Sequence, residues 1–216
     1  MNMTVANQGK QSGISLSANS LTCLRNDVVL FRGLEFTLER GEILQIQGPN
    51  GSGKTSLLRI LCGLALPDAG EILWNEKNIY DYRYDYFKEL SYIGHVNGIK
   101  TELTALENLV IAGALAAAGN GISYQEVLEK IGLAEYENVP AQKMSSGQRR
   151  KLALARLLIT NTRLWILDEH FTALDDYGNQ LMNDMIVTHA TRGGITVLAS
   201  HDPIDIHHVN ITTINL

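Results

Sequence analysis

Gly48, Pro49, Asn50, Gly51, Ser52, Gly53, Lys54, Thr55 and Ser56 combine, in one run, the groups that grip a polyphosphate. Residues 48–55 fit Gly-x4-Gly-Lys-[Ser/Thr], the P-loop pattern. Dense negative charge is best met by many backbone N–H groups at once. Glycines at 48, 51 and 53 leave no side chains between that backbone and the phosphates. Lys54 can reach the β- and γ-phosphates as a point charge, and Thr55 can set its hydroxyl on Mg²⁺. ATP and Mg²⁺ are therefore the expected cofactors, with Lys54 serving in catalysis as well as in binding. A chance match in a glycine-rich turn is the alternative, and the flanks weigh against it. Ile43–Gln47 reads as a buried strand entering the loop. Thr55–Cys62 reads as an apolar-faced helix leaving it, whose N-terminal dipole favours anions.

Leu164-Trp165-Ile166-Leu167-Asp168-Glu169 is an apolar strand that ends in two carboxylates, the Walker B arrangement. Successive strand residues point in opposite directions, so the two acids can take different jobs. Asp168 would help hold Mg²⁺, directly or through water. Glu169 would orient or deprotonate the attacking water. Alone, such a strand could simply end in solvated acids; downstream of a P-loop the catalytic reading prevails. Met144-Ser145-Ser146-Gly147-Gln148 opens a helix running from about 146 to 160. Ser145 and Ser146 are good N-cap residues, which by itself would account for them. His201 follows the apolar strand Ile195–Ala199, where a lone histidine would be unremarkable.

These groups need a sheet to hold them. From Leu21 to Gln47, short apolar runs alternate with turns at Arg25-Asn26-Asp27 and Arg40-Gly41, the pattern of strands and a hairpin. Pro67-Asp68-Ala69-Gly70 makes a turn before a short strand, Glu71–Trp74. Residues from about 80 to 148 show helical periodicity, notably 105–118 and 124–132, and read as a helical insertion. Strand 164–167, a helix from about 175 to 190, strand 195–199 and a last strand at 211–216 suit a parallel sheet with crossover helices.

The chain of 216 residues, 45% hydrophobic, is long enough for one α/β domain with its own core. A net charge of -5 argues against nucleic acid as the main partner, and none is expected. Cys23 and Cys62 lie in apolar elements outside any CxxC pattern and read as reduced, buried thiols rather than a disulfide or metal site. The longest apolar run, 109–118, is about half of the ~20 residues that a membrane span needs. Residues 1–15 open with a polar stretch that reads as a flexible tail without the order of a signal peptide. Work at a membrane would require another chain.

Together, the order of P-loop, Ser145-containing motif and Walker B strand resembles the ATP-binding-cassette (ABC) family. The family signature is commonly Leu-Ser-Gly-Gly-Gln; here it reads Met-Ser-Ser-Gly-Gln. Thr172-Ala173-Leu174-Asp175 resembles the D-loop, and His201 the switch histidine that contacts the γ-phosphate. The resemblance covers about residues 16–216. It implies an α/β fold: a P-loop NTPase (RecA-like) core with an antiparallel β subdomain and a helical ABC subdomain at about 80–148, all in one nucleotide-binding domain, 16–216. It implies ATP hydrolysis with Glu169, His201 and Lys54 as catalytic residues. It also implies a second copy facing the first head to tail. Each ATP would then be held by the P-loop of one copy and by Ser145, Ser146, Gly147 and Gln148 of the other, with Asp175 nearby.

Some positions depart from the family pattern. Arg25 stands about where an aromatic residue stacks on adenine; its guanidinium plane could do the same, or it could be a surface residue. His95 stands at the Q-loop glutamine. It would reach a metal-bound water, placing it at both nucleotide and Mg²⁺, and its protonation would matter near neutral pH. His170 replaces the proline that usually follows the catalytic glutamate, adding backbone freedom and a donor. Gly94–Asn108, Leu164–Glu169, Phe171–Asp175 and Ser146–Arg150 resemble the CcmA family, the ATP-binding subunits of cytochrome c maturation exporters. That resemblance implies a role in haem export or in release of a haem-loaded chaperone. It implies an integral membrane permease partner (CcmB-like, with a CcmC-like protein) and a peripheral location on the cytoplasmic face of the bacterial inner membrane. The helical subdomain and residues 95–100 would dock on that partner. A soluble ABC-type regulatory ATPase, or an exporter subunit with another cargo, is the alternative.

Overall fold

Apolar strands that run parallel must be covered on both faces, because their crossovers lay helices on each side. The computed structural model meets that requirement at β3 (Ile43–Gln47), β7 (Leu164–Asp168) and β8 (Ile195–Ala199), buried along almost their whole length. With β6 (Leu90–Ile93) and β9 (Ile211–Asn215) they form a parallel sheet of order β6-β7-β8-β3-β9. A second, antiparallel sheet has the order β2-β1-β4-β5, built from β1 (Ser15–Arg25), β2 (Val28–Glu39), β4 (Ala69–Trp74) and β5 (Lys77–Asn78). The helices are α1 (Lys54–Leu61), α2 (Arg83–Glu89), α3 (Ala105–Leu115), α4 (Tyr124–Lys130), α5 (Ser146–Ile159) and α6 (Asp176–Thr191). The structure describes residues 13–116, 123–168, 174–200, 206 and 209–216. The expected tail falls mostly on residues 1–12, which lie outside the described residues. Ile14 packs on the core and Ser15 opens β1.

The period-2 alternation of the parallel strands sorts their side chains between two cores. Leu44, Ile46, Leu164, Ile166, Ile195 and Val197 point to the side shared with α1 and the antiparallel sheet. Ile43, Trp165, Leu167 and Leu198 point to the other side, where Leu154 and Leu157 of α5 and Met182, Met185 and Ile186 of α6 meet them. A third cluster joins Leu109 of α3 and Val127 and Leu128 of α4 to Leu152, Ala155 and Ile159 of α5. The expected hairpin turn is present: Asn26 and Asp27 both have positive φ, 50° and 63°, matching the twist of the strands they join. Cys23 and Cys62 are buried free thiols, as their apolar settings imply.

One element differs from the sequence pattern. Leu90–Ile93 lies in the stretch that reads as helical, yet it is a strand paired in parallel with β7, Leu90 opposite Leu164. Four residues are too few to display alternation, and its partner lies far downstream. α3 ends at Leu115, and residues 117–122 lie outside the described residues.

His189 of α6 stacks on Trp165 of β7, ring centroids 3.9 Å apart and planes within 6°. Gly194 makes room, since a Cβ there would overlap the imidazole. Burial pushes His189 down to about 4 from its ordinary value of 6.5, so it is neutral at pH 7. Between those values the unfolded chain binds the extra proton. The contribution of the neutral His189 is therefore full above about pH 6.5 and is lost as pH falls toward about 4, by about 3 kcal/mol at most. His189→Gln is expected to flatten the fall of Tm across that window. A parental slope in the variant would assign the acid sensitivity to other groups.

Candidate functional site

Beyond β3 the chain turns through Gly48, Gly51 and Gly53, with φ of 149°, 82° and 111°. Side chains rarely adopt such angles. The space is also confined: a Cβ on Gly48 would lie 2.5 Å from the Leu216 carbonyl oxygen, and one on Gly53 would lie 3.1 Å from Leu30 Cβ. Gly53 is the N-cap residue of α1, makes no side-chain cap, and is followed by no acidic residue in the first turn. Thr104, Ser123, Ser145 and Asp175, by contrast, cap α3, α4, α5 and α6 with their side chains. The start of α1 thus leaves its first N–H groups for an anion.

Lys54 is buried, and its Nζ donates to the carbonyl oxygens of Gly48 (2.7 Å) and Pro49 (3.0 Å), arching back over the loop. Thr55 Oγ1 donates to Asp168 Oδ2 at 2.9 Å. The P-loop hydroxyl and the Walker B carboxylate therefore meet, two hard oxygens of the kind Mg²⁺ takes. The buried Ser52 hydroxyl has no hydrogen-bond partner among the described residues. A Cβ on Gly51 would find no heavy atom within 4 Å. An open cradle lined by unspent donors fits a polyphosphate. Among the described residues no cluster of His, Cys, Asp and Glu could hold a metal by itself. A cation here would rest on Thr55, Asp168 and the phosphate oxygens. Pro49, Asn50 and Ser56 lie in the same turn and the first turn of α1.

Behind the loop, Gln45 Nε2 donates to Ser200 Oγ at 2.7 Å, both residues buried. This ties β3 to the end of β8, next to position 201. Glu169 and His201 lie outside the described residues, as do His170, Thr172 and Ala173.

His95 is exposed in the loop after β6. That loop is joined to the site by Arg150, a residue that the sequence presents only as part of the signature stretch. Arg150 is 3% exposed. Its Nη1 donates to the Gly94 carbonyl (3.0 Å) and Asn97 Oδ1 (2.8 Å), and its Nη2 donates to the Asp168 carbonyl (3.0 Å). A signal for it existed: position 150 falls on the same face of α5 as Leu154 and Leu157, so a charge sits on the buried stripe.

Ser145–Gln148 are not brought to the P-loop of their own chain; among the described residues no hydrogen bond joins the two. They form a capping box instead. Gln148 N donates to Ser145 Oγ (3.1 Å) and Ser145 N donates to Gln148 Oε1 (2.8 Å). Of the two side chains, the cap uses only acceptor atoms. The Ser145 hydroxyl proton and the Gln148 amide hydrogens stay available to an outside acceptor. Asp175 caps α6 through Gly178 N (2.8 Å) and pairs with Lys151 Nζ (2.9 Å). Lys151, and then the Gly178 N–H, hold its carboxyl below the usual carboxylate range. Arg25 ends β1 at the exposed tip of the hairpin, and β2, which follows, packs on Gly53.

Comparison with known proteins adds an independent line. A family model described as ABC transporter matches residues 31–172. A "Cytochrome c biogenesis ATP-binding export protein CcmA" from Nitrosococcus oceani is 46% identical over 200 residues, 93% of this chain and 92% of that protein. The protein of the same name from Escherichia coli K12 is 45% identical over 201 residues, covering 93% and 96%. A solved structure described as a putative ABC transporter (ATP-binding protein) from Pyrococcus furiosus superposes with a TM-score of 0.79 at 20% identity, over 94% of this chain and 97% of that one. Another, an ATP binding subunit of an ABC transporter, gives 0.77 at 22% identity over 86% and 79%. Both share the α/β fold.

Proposed function

We propose that this chain, which belongs to the ABC transporter family, is the ATP-binding and ATP-hydrolysing subunit of an exporter serving cytochrome c biogenesis. The hydrogen bond between Thr55 and Asp168, beside the buried Lys54, is the observation that carries the ATPase reading. Loop and strand residues distant in sequence meet there with the groups a nucleotide triphosphate and a divalent cation require. Lys54 and the N–H groups of 48–55 would bind the β- and γ-phosphates, while Thr55 and Asp168, with His95 through water, would hold Mg²⁺. When bound, the cation neutralises charge that develops on the transferred phosphoryl group. Glu169 would orient or deprotonate water, and His201 would sense the γ-phosphate. Arg25 would border the adenine.

Residues 16–216 act as one nucleotide-binding domain, with the helices of about 80–148 as its outer part. The unspent side-chain donors at the start of α5 support a second copy across the nucleotide, since among the described residues no hydrogen bond joins them to their own P-loop. Asp175 would lie at that junction. No helix among the described residues is long and apolar enough to cross a membrane. Peripheral attachment to the inner membrane would therefore run through a permease, CcmB-like with a CcmC-like protein. Val96, 83% exposed in the His95 loop, supports a docking role there. The relatives' names give export in cytochrome c biogenesis; within that role, haem export or release of a haem-loaded chaperone is the cargo step proposed.

Deleting the gene is expected to abolish covalent haem attachment to c-type cytochromes, with restoration by the parental chain. Normal attachment in the deletion strain would redirect the subunit to another cargo. Failure to co-purify an integral membrane protein would favour a soluble regulatory ATPase.

A further inference from the structure

We infer that Arg150 is a positioning residue that couples the strand carrying Asp168 to the His95 loop, so that a triphosphate bound at one is felt at the other; this rests on the ATPase reading above. A guanidinium is always charged and presents its donors in a rigid fork. Here the fork is buried, and it spans main-chain carbonyls at Gly94 and Asp168 together with the Asn97 side chain. Carbonyls move with their backbone. A displacement at the end of β7 is thus transmitted to residues 94–97 instead of being absorbed by a flexible side chain.

The far end of the same loop is gripped as well. Asn108 Oδ1 accepts from Lys100 N (2.8 Å), and its Nδ2 donates to the carbonyls of Lys100 (3.0 Å) and Thr104 (2.9 Å). Held at both ends, the segment moves as a unit. Arg150 also sits about 7.5 Å along α5 from the Ser145 cap. One rigid helix therefore carries both the fork and the donors that would meet a second copy's nucleotide.

Amide hydrogen exchange of the full chain with and without Mg-ATP tests the coupling. In the parent, ATP is expected to slow exchange at 48–55 and also at 94–98. In Arg150→Met, protection at 48–55 should persist while that at 94–98 falls about tenfold. Arg150→Lys restores the charge without the fork. It should recover the Tm but not the protection at 94–98, an outcome that a merely structural arginine would not give. Asn97→Ala removes one acceptor outside the core. It should weaken protection at 94–98 in the same sense, and it decides the matter if Arg150→Met fails to fold. Parental protection at 94–98 in Arg150→Lys and Asn97→Ala would overturn the coupling alone. Absence of ATP protection at 48–55 in the parent would overturn the ATPase reading as well.

Discussion

Lys54→Met is expected to lower ATP turnover by on the order of 10²–10³ and to weaken ATP binding, because two roles end at once. The ammonium arches over the loop to the carbonyls of Gly48 and Pro49, so it sets the shape of the cradle. It is also the one side-chain cation in the 48–55 run. Methionine keeps an unbranched apolar stem one heavy atom shorter, so most of the buried position stays filled. Phosphate release by the purified chain and an ATP titration provide the check. Turnover within a few-fold of the parent would place the phosphates elsewhere.

Glu169→Gln is the second large effect, with the opposite sign for binding. Loss of a general base costs on the order of 10²–10⁴ in rate while every phosphate contact is retained. ATP should therefore stay bound, and two copies should stay closed around it. Size-exclusion chromatography in Mg-ATP should give a dimer for Glu169→Gln and a monomer for Lys54→Met. A Glu169→Gln chain that hydrolyses ATP at the parental rate would remove Glu169 from the chemistry and reassign the Walker B pair.

The P-loop was readable because its chemistry is local. Glycines, lysine and threonine lie within one turn, and the loop conformation follows from glycine's freedom at positive φ. The buried strands 164–168 and 195–199 were readable for a similar reason, since unbroken apolar runs of that length have few other uses in a chain of this composition. Two further helix starts carried a signal that was present and unread: Thr104…Glu107 and Ser123…Glu126 both fit the capping-box spacing, and both form it. The strand Leu90–Ile93 was not readable, because its stability comes from pairing with β7 and not from its own four residues. Arg150 was hidden for the same physical reason. Its acceptors come from β7 and from a loop more than fifty positions away along the chain, which no local pattern records.

Leu158 and Leu181 pack against both the cluster beneath the parallel sheet and the cluster of the outer helices. Two aliphatic side chains shared by otherwise separate cores form a pivot. Any rocking of α3 and α4 relative to the sheet would turn about this point, with an amplitude set by the bulk of those side chains. Trimming Leu158 to alanine would therefore enlarge the swing while leaving every phosphate-binding atom in place.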